Sequence, residues 1–409
     1  MSNTLVTIDM VTREALRIAH EKCQFISTTD RQYDSSFAKT GAKIGASLRV
    51  RKPNQYLRTQ GTRVMDVQEQ DEQTSTVTVA TQDHVDMRFN SAELALSLDE
   101  LSKRYIEPAV SSLVSAIEGD YLAYATKKTY NVVGTAGTAI TDLTAPGLAR
   151  ARLNQMLAPK DRNRAIQMDS VTMAGLVKGV AAYFNPSGAI SEQYREGLVA
   201  RTSMADYYEN ERVWTLTNSG DVTVTTAAAA AVTDGGTNIT LASVGAGDTT
   251  AGMTFTVAGV YACHPETKQS LGYLQPYVVI TGGATTQTVS PATILTGPRQ
   301  NVCSAASAQL ATTAYNGTAV AVTFFGAANT SYAQSLMYHK EAFQFVTADL
   351  PLMDDAHKCV RRSQDGLSMR VWQASDIRND ELLMRIDVLY GFAALRPEWA
   401  CRMIGAASA

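Results

Sequence analysis

The spacing of apolar residues changes several times along this chain, and each change marks a new kind of element. Residues 8–23 carry Leu16, Ile18 and Ala19 among charged positions, a pattern that predicts a first amphipathic helix with Asp9 as its N-cap. Residues 28–36 are polar and turn-rich. Residues 75–81, STVTVAT, and 85–89, VDMRF, alternate strictly and predict strands of an extended two-stranded arm. From Ser97 the period lengthens. Leu98, Leu101, Tyr105, Ala109, Leu113, Ala116, Ile117 and Tyr124 recur three or four apart, which predicts a helix of about thirty residues. Ser97 and Glu100 form a capping box at its start, Pro108 is expected to bend it, and Gly134 and Gly137 mark its end.

Shorter helical patterns follow at residues 146–157, 170–183 and 185–197, separated by turn signals. Near Thr215 the composition breaks. From there to about residue 330 the only Asp, Glu, Lys or Arg residues are Asp221, Asp234, Asp248, Glu266, Lys268 and Arg299. The runs 221–226, 237–241, 253–257, 277–280 and 319–324 read as short strands at close spacing, the mark of a compact all-β module. Helical and strand patterns on both sides make it an insertion whose ends should lie close together. Residues 335–346, 367–373 and 381–391 then alternate as strands covered on one face.

At 409 residues, 45% of them hydrophobic, the chain has room for two or three domains with true cores. A net charge of −3 argues against tight nucleic-acid binding, because each phosphate contact needs a Lys or Arg. Its five cysteines are scattered, with no C-x-x-C pair, and read as thiols in a reducing compartment. No apolar signal core opens the chain, and no 18-residue apolar run suggests a membrane span, so synthesis in the cytosol without export is expected.

Charge is unevenly placed on the extended arm. Lys39, Lys43, Arg49, Arg51, Lys52, Arg58 and Arg63 occur with no carboxylate between Asp34 and Asp66, and Asp66, Glu69, Asp71 and Glu72 follow at once. Such a run has three readings: a nucleic-acid stripe, a solvated edge protected by its charge, or a clamp between copies of the chain. The adjoining acidic block and the scarcity of aromatic residues disfavour the first. Adjacent opposite charges suit head-to-tail packing, so the expected contact residues are Lys39, Lys43, Arg49, Arg51, Arg58, Arg63, Asp66 and Glu69. On the first helix, Glu14 and Glu21 are candidates for meeting a basic partner helix, with a solvated face as the equal alternative.

Catalytic chemistry finds no support. Residues 244–252, VGAGDTTAG, resemble the anion-hole motif of ribokinase-type sugar kinases, but the strand pattern that follows predicts a hairpin turn instead of a phosphate-binding helix N-terminus. His20, His84, His264, His339 and His357 are isolated; His357 and Cys359 beside Asp354 and Asp355 read as a polar loop. No Walker loop or nucleophile elbow is present. No enzyme activity, cofactor or metal is expected.

Taken in order, the first helix, the extended loop with GAKIGASLRVR at 41–51, the long helix opening SLDEL at 97–101, the β insertion, YHKEAF at 338–343 and YGFAALRP at 390–397 resemble the major capsid proteins of tailed double-stranded DNA bacteriophages. More narrowly, the chain resembles the coat-protein family of short-tailed enterobacterial phages. That resemblance implies an α+β Hong Kong phage capsid fold with a long spine helix, an extended loop, peripheral and axial domains, and an inserted all-β domain. It maps residues 1–35 to an N-terminal arm, 36–95 to the extended loop, 96–131 to the spine helix and peripheral domain, 132–214 to the axial domain, 215–331 to the insert, and 332–409 to the return through both domains.

The function it implies is self-assembly, through hexamers and pentamers, into an icosahedral shell enclosing double-stranded DNA. The implied partners are other copies of the chain, a separate scaffolding protein and a portal protein, with no membrane and no tight DNA binding. Assembly would occur in the bacterial host cytoplasm and the product would be the virion capsid. A β-rich phage adhesin or tail-decoration protein is the alternative suggested by the Thr- and Ala-rich insert.

Overall fold

The computed structural model describes residues 8–33, 47–61, 65, 67–68, 72–90, 102–180, 204–219, 223–225, 234–241, 249–283, 285–310, 320–352, 358–364, 366–376, 379 and 381–407. Five α-helices form among them: α1 (Ile8–Lys22), α2 (Phe25–Thr28), α3 (Glu107–Lys128), α4 (Thr144–Gln155) and α5 (Ser170–Val180). None is long and apolar enough to cross a membrane among the described residues. Contacts divide the chain into two units, the described parts of Met1–Val50, Thr74–Tyr121 and Phe343–Leu395, and those of Arg51–Gln73, Leu122–Ala342 and Arg396–Ala409.

The first unit is built on one sheet, in the order Asp30–Tyr33, Phe343–Ala348, Glu381–Ala394, Leu367–Asp376, Lys358–Gln364. Strand Thr81–Asn90 pairs along the other edge of Glu381–Ala394, from Glu381↔Asn90 to Tyr390↔Thr81. Helix α1 lays Val11, Ala15, Leu16 and Ile18 on the strands Lys358–Gln364 and Leu367–Asp376. The aromatic centre is Tyr121 of α3, 4.7 Å from Phe25 and 5.4 Å from both Phe345 and Phe392, a spacing that favours offset and tilted ring packing. A separate two-stranded ladder, Ser47–Arg51 with Thr74–Thr78, rests on the sheet through Val50, Val77 and Val79. Gly391 permits this approach, because a Cβ there would collide with the carbonyl of Thr78.

The second unit holds two sheets. One runs Val132–Val133, Ala400–Ala407, Ser331–His339, Arg164–Met168, Asp206–Glu209, with Thr215–Thr217 also on Ser331–His339. The other belongs to the low-charge segment and runs Gly236–Thr240, Thr286–Thr293, Ser270–Thr281, Thr254–Cys263, Ala321–Phe324, Thr223–Thr225, with Val302–Cys303 on Thr254–Cys263. Phe255 lies 5.8 Å from Tyr277 and 5.2 Å from Phe324 in its core. The strands flanking this segment pair with each other, Thr217↔Ser331 to Thr215↔Ala333.

Several sequence expectations change in the folded chain. The long helix is continuous from Ser102 to Lys128 but opens on a π-helical turn, Ser102–Ile106, and Pro108 lies where that turn passes into α3. In a regular α-helix the proline ring would crowd the carbonyl four residues back, and the wider π turn relieves that conflict. Ser97 and Glu100 lie outside the described residues. Ala116, expected on the apolar face, is exposed, and Glu118 is wholly buried. Asp9 is inside α1 and is held by Arg362 Nε and Nη2, both at 2.6 Å, so it anchors the first turn instead of capping it. Residues 335–346 are not one strand: Ser331–His339 and Phe343–Ala348 are separate strands in different sheets, broken by a 3-10 turn at Lys340–Ala342. Both are buried along nearly their whole length, as strands in the middle of a covered sheet are.

Candidate assembly interface

The extended arm starts from the two-stranded ladder, which continues one bond further as Lys52 N–H donates to Gln73 O at 2.8 Å. Beyond it no regular strand forms on residues 52–61. Gln68 replaces the missing partner: its Nε2 donates to Leu57 O at 2.6 Å and its Oε1 accepts from Leu57 N–H at 2.7 Å. A side-chain amide thus satisfies a backbone donor and acceptor in the manner of a strand pair, and ties the two limbs of the loop together.

The predicted clamp residues fall unevenly on this frame. Arg51 reaches Glu72 of its own chain, Nη1 to Oε2 at 3.3 Å, with both side chains exposed. Arg58 is exposed, and Arg49 lies on strand Ser47–Arg51. Lys39, Lys43, Arg63, Asp66 and Glu69 lie outside the described residues. An exposed pair such as Arg51 with Glu72 contributes about 0–1 kcal/mol, too little to fix the loop by itself.

On α1, Glu14 and Glu21 converge on Arg17, whose guanidinium meets Glu14 Oε1 at 2.6 Å and Glu21 Oε1 at 2.5 Å. The hydrogen bonds Arg17 donates to Glu14 and then to Glu21 push its pKa above the ordinary value. A basic partner would therefore have to compete with Arg17 for both carboxylates. The opposite face of the helix is buried, so this charged ridge is the side α1 leaves to solvent.

Buried charges that sequence reasoning missed hold the scaffold under these surfaces. Glu118 Oε1 accepts the backbone N–H of Gln24 at 2.7 Å and that of Phe25, at the start of α2, where a carboxylate is favoured by the exposed N–H groups. Its signal was present: Val114, Tyr121 and Leu122 stand at helical spacing on either side. Asp387 is bound by Arg370 Nη2 and Arg385 Nε, each at 2.5 Å, in the centre of the first unit's sheet. In the second unit Arg402, fully buried, donates to Thr129 O at 2.9 Å and Gly252 O at 2.7 Å, and burial lowers its pKa to about 9.

The catalytic decoys give way to structure. Met253 N–H donates to Thr250 O at 3.1 Å, Gly252 has φ of 99°, and strand Thr254–Cys263 follows, so the described end of residues 244–252 is a turn. A Cβ on Gly252 would stand 2.5 Å from Cη2 of Trp214. The Gly-Ala-Gly-Asp portion, like His357, Asp354 and Asp355, lies outside the described residues. Among the described residues no group of three or more His, Cys, Asp or Glu could hold a metal ion.

A protein-family model described as P22 coat protein, gene protein 5, matches residues 71–405. The chain belongs to the P22 coat protein family. As a P22-type coat protein it is a major capsid protein, a structural virion component whose copies form an icosahedral shell. Among solved structures it is similar to one from Mycobacterium phage Che8, at 9% identity and a TM-score of 0.47, covering 93% of this chain and 90% of that one. The capsid of cyanophage P-SCSP1u is 11% identical, with a TM-score of 0.44 over 93% of this chain and 87% of that one. The mature capsid of bacteriophage PhiM1 is 11% identical, with a TM-score of 0.42 and the same coverage, 93% and 87%. Comparison with curated protein sequences found no match.

Proposed function

We propose that this coat protein has the Hong Kong phage capsid arrangement and assembles through hexamers and pentamers around double-stranded phage DNA, in the bacterial host cytoplasm, without enzymatic chemistry. The family match over residues 71–405 carries this reading. The first unit, with the helix α3 entering it, takes the part of the peripheral domain. The Ala400–Ala407 and Ser331–His339 sheet takes that of the axial domain, and the low-charge β segment that of the insert. A separate scaffolding protein and a portal protein are the assigned partners. The net charge of −3 suits a container wall that leaves its DNA free to be packed and released.

Within the shell, the extended loop reaches a neighbouring copy, and its basic residues Lys39, Lys43, Arg49, Arg51, Arg58 and Arg63 with Asp66 and Glu69 steer that contact. The Glu14 and Glu21 ridge on α1 is the candidate surface for a basic scaffolding helix. Negative-stain electron microscopy of the purified protein, alone and co-expressed with its candidate scaffolding gene, tests the assembly. Closed shells or rings of uniform subunits are expected; dispersed monomers under both conditions would refute it. For the loop charges, the double variant Arg49→Glu, Arg51→Glu is expected to keep the circular dichroism of the folded subunit and to impair shell formation, because two reversed charges repel an approaching copy. Normal shells from that variant would exclude the charge contact.

A further inference from the structure

Beside its exposed charges the loop also carries exposed apolar side chains. Ten large hydrophobic side chains are exposed among the described residues, and three of them, Tyr56, Met65 and Val67, lie on this one loop at 56%, 86% and 79% exposure. Lys52, Pro53, Asn54, Gln55, Leu57 and Gln68 line a cavity of about 1030 Å³ within the second unit, while Tyr56, Met65 and Val67 are not part of its wall. The double hydrogen bond between Gln68 and the Leu57 backbone links the limb that carries Tyr56 to the limb that carries Met65 and Val67. Three exposed apolar side chains thus lie on two limbs of the loop that this pair of hydrogen bonds ties together.

We propose that Tyr56, Met65 and Val67 form an apolar knob that docks on a second copy of this coat protein, and that the knob supplies most of the loop's binding energy while its charges guide the approach. The inference rests on the assembly reading above and specifies the chemistry of one of its contacts. A second copy is the occupant because the chain belongs to a coat-protein family, so other copies surround each subunit in its working state. Aromatic and Met side chains are the usual anchors of such contacts: a Tyr brings a large area with little rotamer freedom to lose, and Met adapts to irregular pockets. The charged alternative is weaker, since Arg51 already has a partner in its own chain and exposed ion pairs contribute little.

Three results decide the proposal. The triple variant Tyr56→Ser, Met65→Ser, Val67→Ser is compared with Arg58→Glu and with the parent for the subunit concentration at which shells appear, measured by light scattering with scaffolding protein present. The triple variant is expected to raise that threshold by roughly ten-fold or more at both low and high salt, since apolar contacts are not screened, and Arg58→Glu to change it by less than about three-fold. A triple variant that assembles at the parent's threshold overturns the knob. A photo-crosslinking amino acid at position 67 of the otherwise unchanged chain gives a readout free of folding effects. Covalent coat-to-coat dimers in shells and none in free subunits are expected, and crosslinks only within one chain or only to the scaffolding protein overturn the proposal. If the parent forms no shells at all, the assembly reading fails, whereas shells without the crosslink defeat the knob alone.

Discussion

At the residue scale, buried charges bound to backbone join segments that are far apart in the chain. Glu118 spans two elements with one carboxylate oxygen, taking the N–H groups of Gln24 and Phe25. Hydrogen bonds to a charged group are worth roughly 1.5–3 kcal/mol, and a donor left buried and unpaired costs a similar amount. Glu118→Ala is expected to lower subunit stability by about 2–3 kcal/mol in urea unfolding, and Glu118→Gln, which keeps an acceptor, by about half of that. An Ala variant with the parent's midpoint would show that α2 is held by Phe25 and its ring contacts instead. This residue was half legible: its helical spacing among apolar neighbours was on the page, but the two donors it meets come from about ninety residues earlier, a separation that no local pattern encodes.

At the scale of elements, the long helix shows how a local rule is absorbed by local geometry. Pro108 predicts a bend in a continuous helix, and the chain instead opens a π turn over Ser102–Ile106 and starts α3 at Glu107. Helical residues precede Pro108, so it gives up one hydrogen bond to that turn, while the wider π turn keeps its ring clear of the carbonyl four residues back. Pro108→Ala is therefore expected to leave the melting temperature unchanged or slightly raised, by no more than about 0.5 kcal/mol, as thermal unfolding would show. A fall of several degrees would mean that the proline itself holds the turn open. The strand pattern at residues 335–346 misled for a different reason. Alternation and burial on both faces leave similar sequences, and the break at Lys340–Ala342 follows from the chain leaving one sheet for the other.

At the scale of the molecule, the low-charge β segment is joined to its own unit by more than its two flanking strands. Arg402 of strand Ala400–Ala407 donates to Gly252 O, Arg152 of α4 stacks on Tyr273 with its guanidinium 3.0 Å from the ring centroid, and Lys127 of α3 stands 5.0 Å from the ring of Trp214 beside Gly252. Removing residues 216–330 would take away Gly252 and Tyr273 and leave Arg402 as a buried cation with one acceptor fewer, a loss of roughly 1–3 kcal/mol at that residue alone. The shortened chain is expected to accumulate as insoluble or molten subunits, measured by the soluble fraction and by near-ultraviolet circular dichroism. Soluble subunits that still build shells would show that the segment is neither needed for folding nor for contact between capsomers.

What the sequence determined by itself were the features set by neighbours in the chain: the period of α1, the presence of the long helix that contains α3, the turn before Thr254, strands in the low-charge segment, and the order of parts that resembles a phage coat protein. These depend on side chains a few residues apart, so the pattern is written locally. Tertiary structure alone decided which charges are buried and paired, that Glu14 and Glu21 share Arg17, that Arg51 meets Glu72, and that Tyr56, Met65 and Val67 of the extended loop are exposed. Burial and pairing depend on which distant segments arrive at the same place, and that is fixed only when the sheets close and the loop is fastened by Gln68.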